Sequence, residues 1–216
     1  MIKKTVLLIN AGHGGMNFQT GESYTDKEDG KMTLHTNGKP YHWKGWFFEG
    51  VSNRRLALEF IAQASRAGYI CIPVFPPEGD PEPRDRAKLA NEIAMKLQCK
   101  CIYLSFHSNA AGIGTNPQLT AQGVSAFVYK LKSETAVLAE KITKAMQNVF
   151  DEYGSKRRAQ LIHDKPLDET TYTAMPAILF EVGFFDNPQN ADLLMDAEFC
   201  VHLIATMVEQ IKRNVE

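Results

Sequence analysis

Residues 5–15 read TVLLINAGHGG, and the first six of them, Thr5 to Asn10, are uncharged and rich in Val, Leu and Ile. A run this short and apolar, closed by a glycine-rich turn, suits a strand covered on both faces, because neither face then meets water. Runs of the same character recur at residues 69–75, 101–107, 124–129 and 177–182, and all read as buried strands. Between them, residues 52–67, 83–97 and 134–150 carry helical spacing, and 191–213 supplies one or two closing helices. In the first helix Leu56, Phe60, Ile61 and Ala64 share a face and Gly68 supplies the stop. In the third, Ser133 is placed to cap the helix, and Val137, Leu138, Ile142, Ala145 and Met146 form its apolar stripe. Strands apolar on both faces and alternating with helices predict an α/β fold: a mostly parallel twisted sheet of about six strands with helices on both faces.

A chain of 216 residues is long enough for one large core and short for more than two domains, so residues 1–216 are read as a single domain. With 44% hydrophobic and 23% charged residues the composition is that of a folded globular protein. The formal net charge of -1, with no dense basic stripe, argues against nucleic acid or an anionic membrane as the main partner. The KRR at 156–158 reads as a solvated loop. No apolar run reaches the ~18 residues of a membrane span, and MIKK at residues 1–4 leads into a short strand rather than a signal-peptide core. Cys71, Cys99, Cys101 and Cys200 form no C-x-x-C pair, so buried free thiols are expected. Residues 16–48 depart from the pattern, being polar, Gly-rich and aromatic without a sustained period, and read as a long loop insertion. Residues 163–175, with Pro166, form a second irregular stretch.

In an open sheet of this kind ligand sites gather at the carboxyl ends of the strands. His13 follows the first strand, His107 ends the third in IYLSFHSNA, and Glu181 ends a later one in AILFEVGFFDN. Glu49 precedes the first helix in WFFEGVSNRRLAL and so starts from the same edge. Two imidazoles and one carboxylate make a zinc site with a vacant fourth position, and a second carboxylate can act as base toward a water. Each residue has a plainer reading: a histidine after a strand is often a surface group, and Glu49 suits a helix N-terminus by charge alone. Glu181 in an apolar run is harder to explain as structure, since an unpaired buried carboxylate is costly. His35 and His42 are weaker ligand candidates because they lie in the long loop. His163 is an ordinary loop residue or a substrate contact, and His202 a structural residue of the last helix.

Taken in order, AGHGG at 11–15, E-x-x-x-N at 49–53, R-x-x-x-AN at 86–91, SFHSNA at 105–110 and PAILFEVGFFDN at 176–187 resemble the zinc-dependent N-acetylmuramoyl-L-alanine amidases of the family 3 type. The resemblance spans nearly the whole chain. It implies hydrolysis of the amide between N-acetylmuramic acid and L-alanine in peptidoglycan, Zn2+ held by His13, Glu49 and His107, and Glu181 as the catalytic base. It assigns Arg86 and Asn91 to supporting positions behind the ligands and Asn109 to substrate contact. Two departures stand out. The first motif has Asn10 and Ala11 where an Asp more often stands in one of those places, and residues 16–48 replace a shorter connection. The aromatic Tyr24, Tyr41, Trp43 and Trp46 of that insertion are expected to form a wall or lid over the peptidoglycan groove. The 107–124 interval is too short for the inhibitory helix of some members, which implies a groove open without an activator.

With no export signal or wall-binding repeats read in the sequence, a phage endolysin that accumulates in the cytoplasm is expected; an exported bacterial amidase with its signal removed is the alternative. The sequence leaves two other functions open. One is a zinc carboxypeptidase on stem peptides, with Arg158 holding the terminal carboxylate. The other is a catalytically silent wall-binding module. The sequence names no protein partner.

Overall fold

The computed structural model describes residues 5–14, 24–28, 31–34, 38–40, 46–76, 79–112, 120–156 and 160–215, the backbone alone over 24–46. In chain order the strands are β1 (Val6–Ala11), β2 (Tyr24–Glu28), β3 (Lys31–Leu34), β4 (Gly38–Pro40), β5 (Trp46–Phe48), β6 (Ile70–Pro73), β7 (Cys101–Asn109), β8 (Val124–Phe127), β9 (Ile162–His163) and β10 (Ala177–Phe184). The helices are α1 (Glu49–Arg66), α2 (Pro83–Leu97), α3 (Glu134–Glu152), α4 (Asp168–Thr171), α5 (Pro188–Met195) and α6 (Ala197–Asn214).

The main sheet has six strands in the order β6-β1-β7-β10-β8-β9. β6, β1, β7 and β10 run parallel, as expected of strands joined through helices. β8 pairs antiparallel with β10, and β9 lies parallel to β8, so one end of the sheet is reversed. The chain passes from β7 to β8 with no helix among the described residues, and a chain that turns at one edge of a sheet comes back antiparallel.

Side chains alternate across β1: Leu7, Ile9 and Ala11 enter a large core with α1, α3 and α6, while Val6 and Leu8 enter a smaller one with residues of α2. Helices thus cover both faces. Tyr103 of β7 and Ala177 of β10 also face the smaller core, which puts Ser105, His107 and Glu181 on that side by the same two-residue period.

Several expectations need correction. Residues 69–75 contain the edge strand β6, which is half-exposed rather than buried, with Ile70 50% accessible, because among the described residues no strand pairs with its outer side. In α3 the buried stripe is Ala136, Ala139, Ile142, Met146, Val149 and Phe150; Val137 is 54% exposed, since the helix is turned about one residue from the face read in the sequence. Parts of the 16–48 insertion are not loop: β2 pairs with β3 and β4 with β5 as two antiparallel ribbons. The irregular 163–175 stretch contains the one-turn helix α4. Ser133 caps α3 by accepting from the Ala136 amide, Gly68 ends α1 at φ +92°, and all four cysteines are free. Among the described residues no helix is long and apolar enough to cross a membrane.

Candidate metal centre

Three segments meet at the carboxyl edge of the sheet. β1 ends at Ala11, and the chain turns through Gly12 to His13, which sits at φ +61° in the left-handed region. Two buried guanidinium groups hold the His13 carbonyl in that turn: Arg54 Nη1 donates at 2.7 Å and Arg86 Nη2 at 3.2 Å. Gly12 is required by space, because a Cβ there would lie 2.0 Å from Cε1 of His107. Gly50 lets α1 start against the same turn, since its Cβ would lie 1.7 Å from the Gly14 carbonyl oxygen.

Glu49 opens α1, whose first residue follows Phe48 with no side-chain cap, so the carboxylate also answers the exposed amides of the first turn. Its Oε1 accepts from the Ser108 backbone N–H at 3.0 Å and from Asn53 Nδ2 at 3.3 Å. Asn53 lies one helical turn on and also donates to the Gly12 carbonyl, while its Oδ1 accepts from the Ser108 hydroxyl. The E-x-x-x-N spacing is therefore a clamp that ties α1 to both the β1 turn and the end of β7.

The consequence is a tight cluster. Glu49 Oε1 is 3.3 Å from His13 Nε2 and 3.7 Å from His107 Nδ1, and one donor atom from each of the three residues lies within 4.8 Å of the others. A tetrahedral ion with bonds near 2.0–2.1 Å holds its ligand atoms about 3.4 Å apart, so this spacing and this His₂Glu donor set fit zinc. Burial works to raise the Glu49 carboxyl, but His13, His107 and the Ser108 amide outweigh it and hold the group below the ordinary carboxylate range.

Glu181 is the register partner of His107 on the neighbouring strand and shares its face. It is half-buried, with Oε2 sealed from solvent and without a hydrogen-bond partner among the described residues. Such an orphaned oxygen is costly unless a ligand or water uses it, which is a second point in favour of an ion at the neighbouring cluster. Burial pushes this carboxyl up to about 8, with Glu49 and Glu169 adding to the rise against His107 and Lys165.

Behind the cluster lies a polar network centred on Glu169 of α4, a residue singled out by nothing in the sequence. Glu169 Oε1 is 3.1 Å from His107 Nε2, and Oε2 accepts from the Tyr103 hydroxyl at 2.8 Å and from Asn10 Nδ2 at 3.0 Å. Asn10 also donates to Ser105 Oγ and accepts from Arg86 Nη1. Arg86 is 2% exposed; it pairs with Asp80 at 2.8 Å and donates to the carbonyls of Pro81, Ala11 and His13. The Asn10 departure noted in the sequence thus faces a carboxylate, where a second one would be repelled. Glu169 was illegible because it stands in DETT, a stretch with the composition of a solvated loop; only its tertiary partners mark it.

A cavity of about 180 Å³ opens beside the cluster, lined by His13, His107, Glu169, Arg86 and the Asp80–Pro83 turn. Asn91 fastens α2 to the segment before β10, donating to the Tyr172 carbonyl and accepting from the Ala174 amide. Asn109 turns its side chain to the Ala110 amide. His163 stacks on Phe127 at 4.7 Å, and His202 packs 6.3 Å from Tyr153; neither is in the cluster. His35, His42, Tyr41, Trp43 and Arg158 lie outside the described residues, and of Tyr24 and Trp46 only the backbone is described.

Residues 7–213 match the family described as N-acetylmuramoyl-L-alanine amidase. Among solved structures, an N-acetylmuramoyl-L-alanine amidase from Clostridium difficile 630 superposes with a TM-score of 0.71 at 18% identity, covering 98% of this chain and 96% of that one. The catalytic domain of CwlV, an amidase from Bacillus (Paenibacillus) polymyxa var. colistinus, gives 0.65 at 20% identity with 97% of each chain covered. The catalytic domain of the CD27L endolysin targeting Clostridia difficile gives 0.64 at 15% identity with 99% of each covered. At these identities the likeness is one of fold. No curated protein matches the sequence.

Proposed function

The chain belongs to the N-acetylmuramoyl-L-alanine amidase family, enzymes that hydrolyse the amide between N-acetylmuramic acid and L-alanine in peptidoglycan, and from that premise we propose that it works with zinc held by His13, Glu49 and His107 and with Glu181 as base. Family membership decides for this bond over stem-peptide carboxypeptidase action and over a silent wall-binding module. The observation that carries the site is the convergence of three donors from β1, α1 and β7 within 4.8 Å of one another, with Glu181 on the adjoining strand, whose buried Oε2 has no hydrogen-bond partner among the described residues.

Zinc bound there supplies Lewis acidity, polarising a carbonyl and lowering the pKa of a water toward ~7. The chain's own residues do the rest. Glu181 takes a proton from the attacking water as the water oxygen bonds to the lactyl carbonyl carbon. It then hands that proton to the L-alanine nitrogen as the C–N bond breaks, leaving the muramic carboxylic acid, which loses its own proton to solvent, and a free stem-peptide amine. A carboxyl raised toward neutrality by burial suits both halves of this exchange, since it binds a proton readily and also releases it. Asn53 and Ser108 fix the Glu49 carboxylate, and Arg54 and Arg86 fix the turn that presents His13.

Residues 1–216 are read as one catalytic domain acting on the cell wall, with 16–48 as an insertion beside the substrate; the span of the family match and the single six-stranded sheet support this. The test is mass spectrometry of muropeptides released by the purified protein, with zinc measured on the same sample. Intact free stem peptides and one zinc per chain are expected. Stem peptides shortened at the carboxyl end, or activity retained after His13→Ala and His107→Ala, would overturn the assignment.

A further inference from the structure

His107 has two ring nitrogens, and the structure gives them different neighbours: Nδ1 faces Glu49 in the donor cluster, while Nε2 faces Glu169. We propose that Glu169 is the positioning residue of the metal centre, holding the proton of His107 on Nε2 so that the Nδ1 lone pair is turned toward the ion. This rests on the reading of His107 as a metal ligand and adds a residue from a part of the chain that carries no motif.

Glu169 Oε2 already accepts two hydrogen bonds, from the Tyr103 hydroxyl and the Asn10 amide. The third polar neighbour, His107 Nε2 at 3.1 Å from Oε1, is therefore met by an oxygen of a carboxylate that can only accept, and Nε2 must carry the hydrogen. A neutral imidazole with hydrogen on Nε2 has its lone pair on Nδ1, the atom 3.7 Å from Glu49 Oε1 and too far to bond to it. The carboxylate is fixed in turn: Glu169 is 2% exposed, and Asn10 is locked by Ser105 on one side and Arg86 on the other. Asn10 must present its NH₂ to Glu169, because its oxygen faces the Arg86 guanidinium, and an Asp there would set two carboxylates against each other. A carboxylate behind a ligating imidazole sets tautomer, ring orientation and ligand basicity, and its loss typically weakens metal binding about 10- to 100-fold. In Glu169→Gln the amide would bring an NH₂ against one of three groups that already donate, so the site loses a bond without losing volume.

The experiment measures zinc affinity by competition with a chelating dye for the wild-type protein, Glu169→Gln and His107→Ala, with unfolding midpoints of the chelated proteins alongside. A long-range 1H–15N spectrum of the zinc-loaded wild type locates the His107 proton. Expected are zinc binding about 10- to 100-fold weaker in Glu169→Gln and a proton on Nε2 of wild-type His107. If His107→Ala loses zinc while Glu169→Gln binds within twofold of wild type, the positioning role is wrong and the metal site stands. If His107→Ala binds zinc like wild type, the reading of the site itself fails. Should Glu169→Gln not fold, the wild-type spectrum decides, and a proton on Nδ1 overturns the proposal.

Discussion

Gly12→Ala is the sharpest test of the cluster, because it adds one methyl group at a place where the packing can be worked out. The new Cβ would lie 2.0 Å from His107 Cε1 and 2.3 Å from Nδ1 and Nε2. Ordinary contact begins near 3.4 Å, so the ring must retreat by about 1.4 Å, or the turn carrying His13 must move away by as much. Zinc–nitrogen bonds tolerate only about 0.2 Å, so either movement removes one imidazole from the ion. The overpacking itself costs about 1–3 kcal/mol, a lowering of Tm by roughly 2–12 °C in a domain of this size. Gly68→Ala is the matched control: its φ of +92° makes it strained, yet nothing among the described residues lies within 4 Å of its Cβ, and it is at the far end of α1. Both variants should lose some thermal stability, while only Gly12→Ala should lose zinc and amidase activity, measured by elemental analysis and muropeptide release. One zinc per chain and wild-type activity in Gly12→Ala would refute the packing of His107 against that turn.

Glu181→Gln should keep zinc and fold while losing about 10²- to 10⁴-fold in kcat, as expected for removal of a general base; near wild-type turnover would assign the base elsewhere. The chelated protein should become less stable as pH rises from about 5 to 9. Burial raises the Glu181 carboxyl to about 8, so its contribution is complete below pH 4.5 and is lost as pH climbs through 8. Burial alone would lower the His107 imidazole, but Glu169 and Glu49 overturn that and raise it to about 10, adding a contribution complete below pH 6.5 and lost through 10. Unfolding midpoints of chelated protein across that range test this, with Glu181→Gln flattening the lower part of the fall; a midpoint that rises with pH contradicts both assignments. Shortening the 16–48 insertion should weaken binding to whole cell wall and leave zinc stoichiometry unchanged, and unaltered kinetics on whole wall would remove its role as a wall of the groove.

Much of the fold was legible because its signals are local. Apolar runs such as VLLIN and IYLSF mark buried strands by their own composition, and the Ser133 cap and the Gly68 stop act within a few residues of themselves. The reversed β8, the edge position of β6 and the turn of α3 that exposes Val137 were not, since each depends on what lies beside the element rather than on its own pattern. For the site, the sequence alone marked His13, Glu49, His107 and Glu181, because strand ends in an open sheet converge and chemically costly residues there need a reason. That one donor from each of the first three comes within 4.8 Å, that Glu181 Oε2 has no hydrogen-bond partner among the described residues, and that Glu169 stands behind His107 were decided only by tertiary structure. Glu169 is 62 residues from His107 in the chain, and a hydrogen bond spanning such a separation leaves no periodicity for a sequence to display.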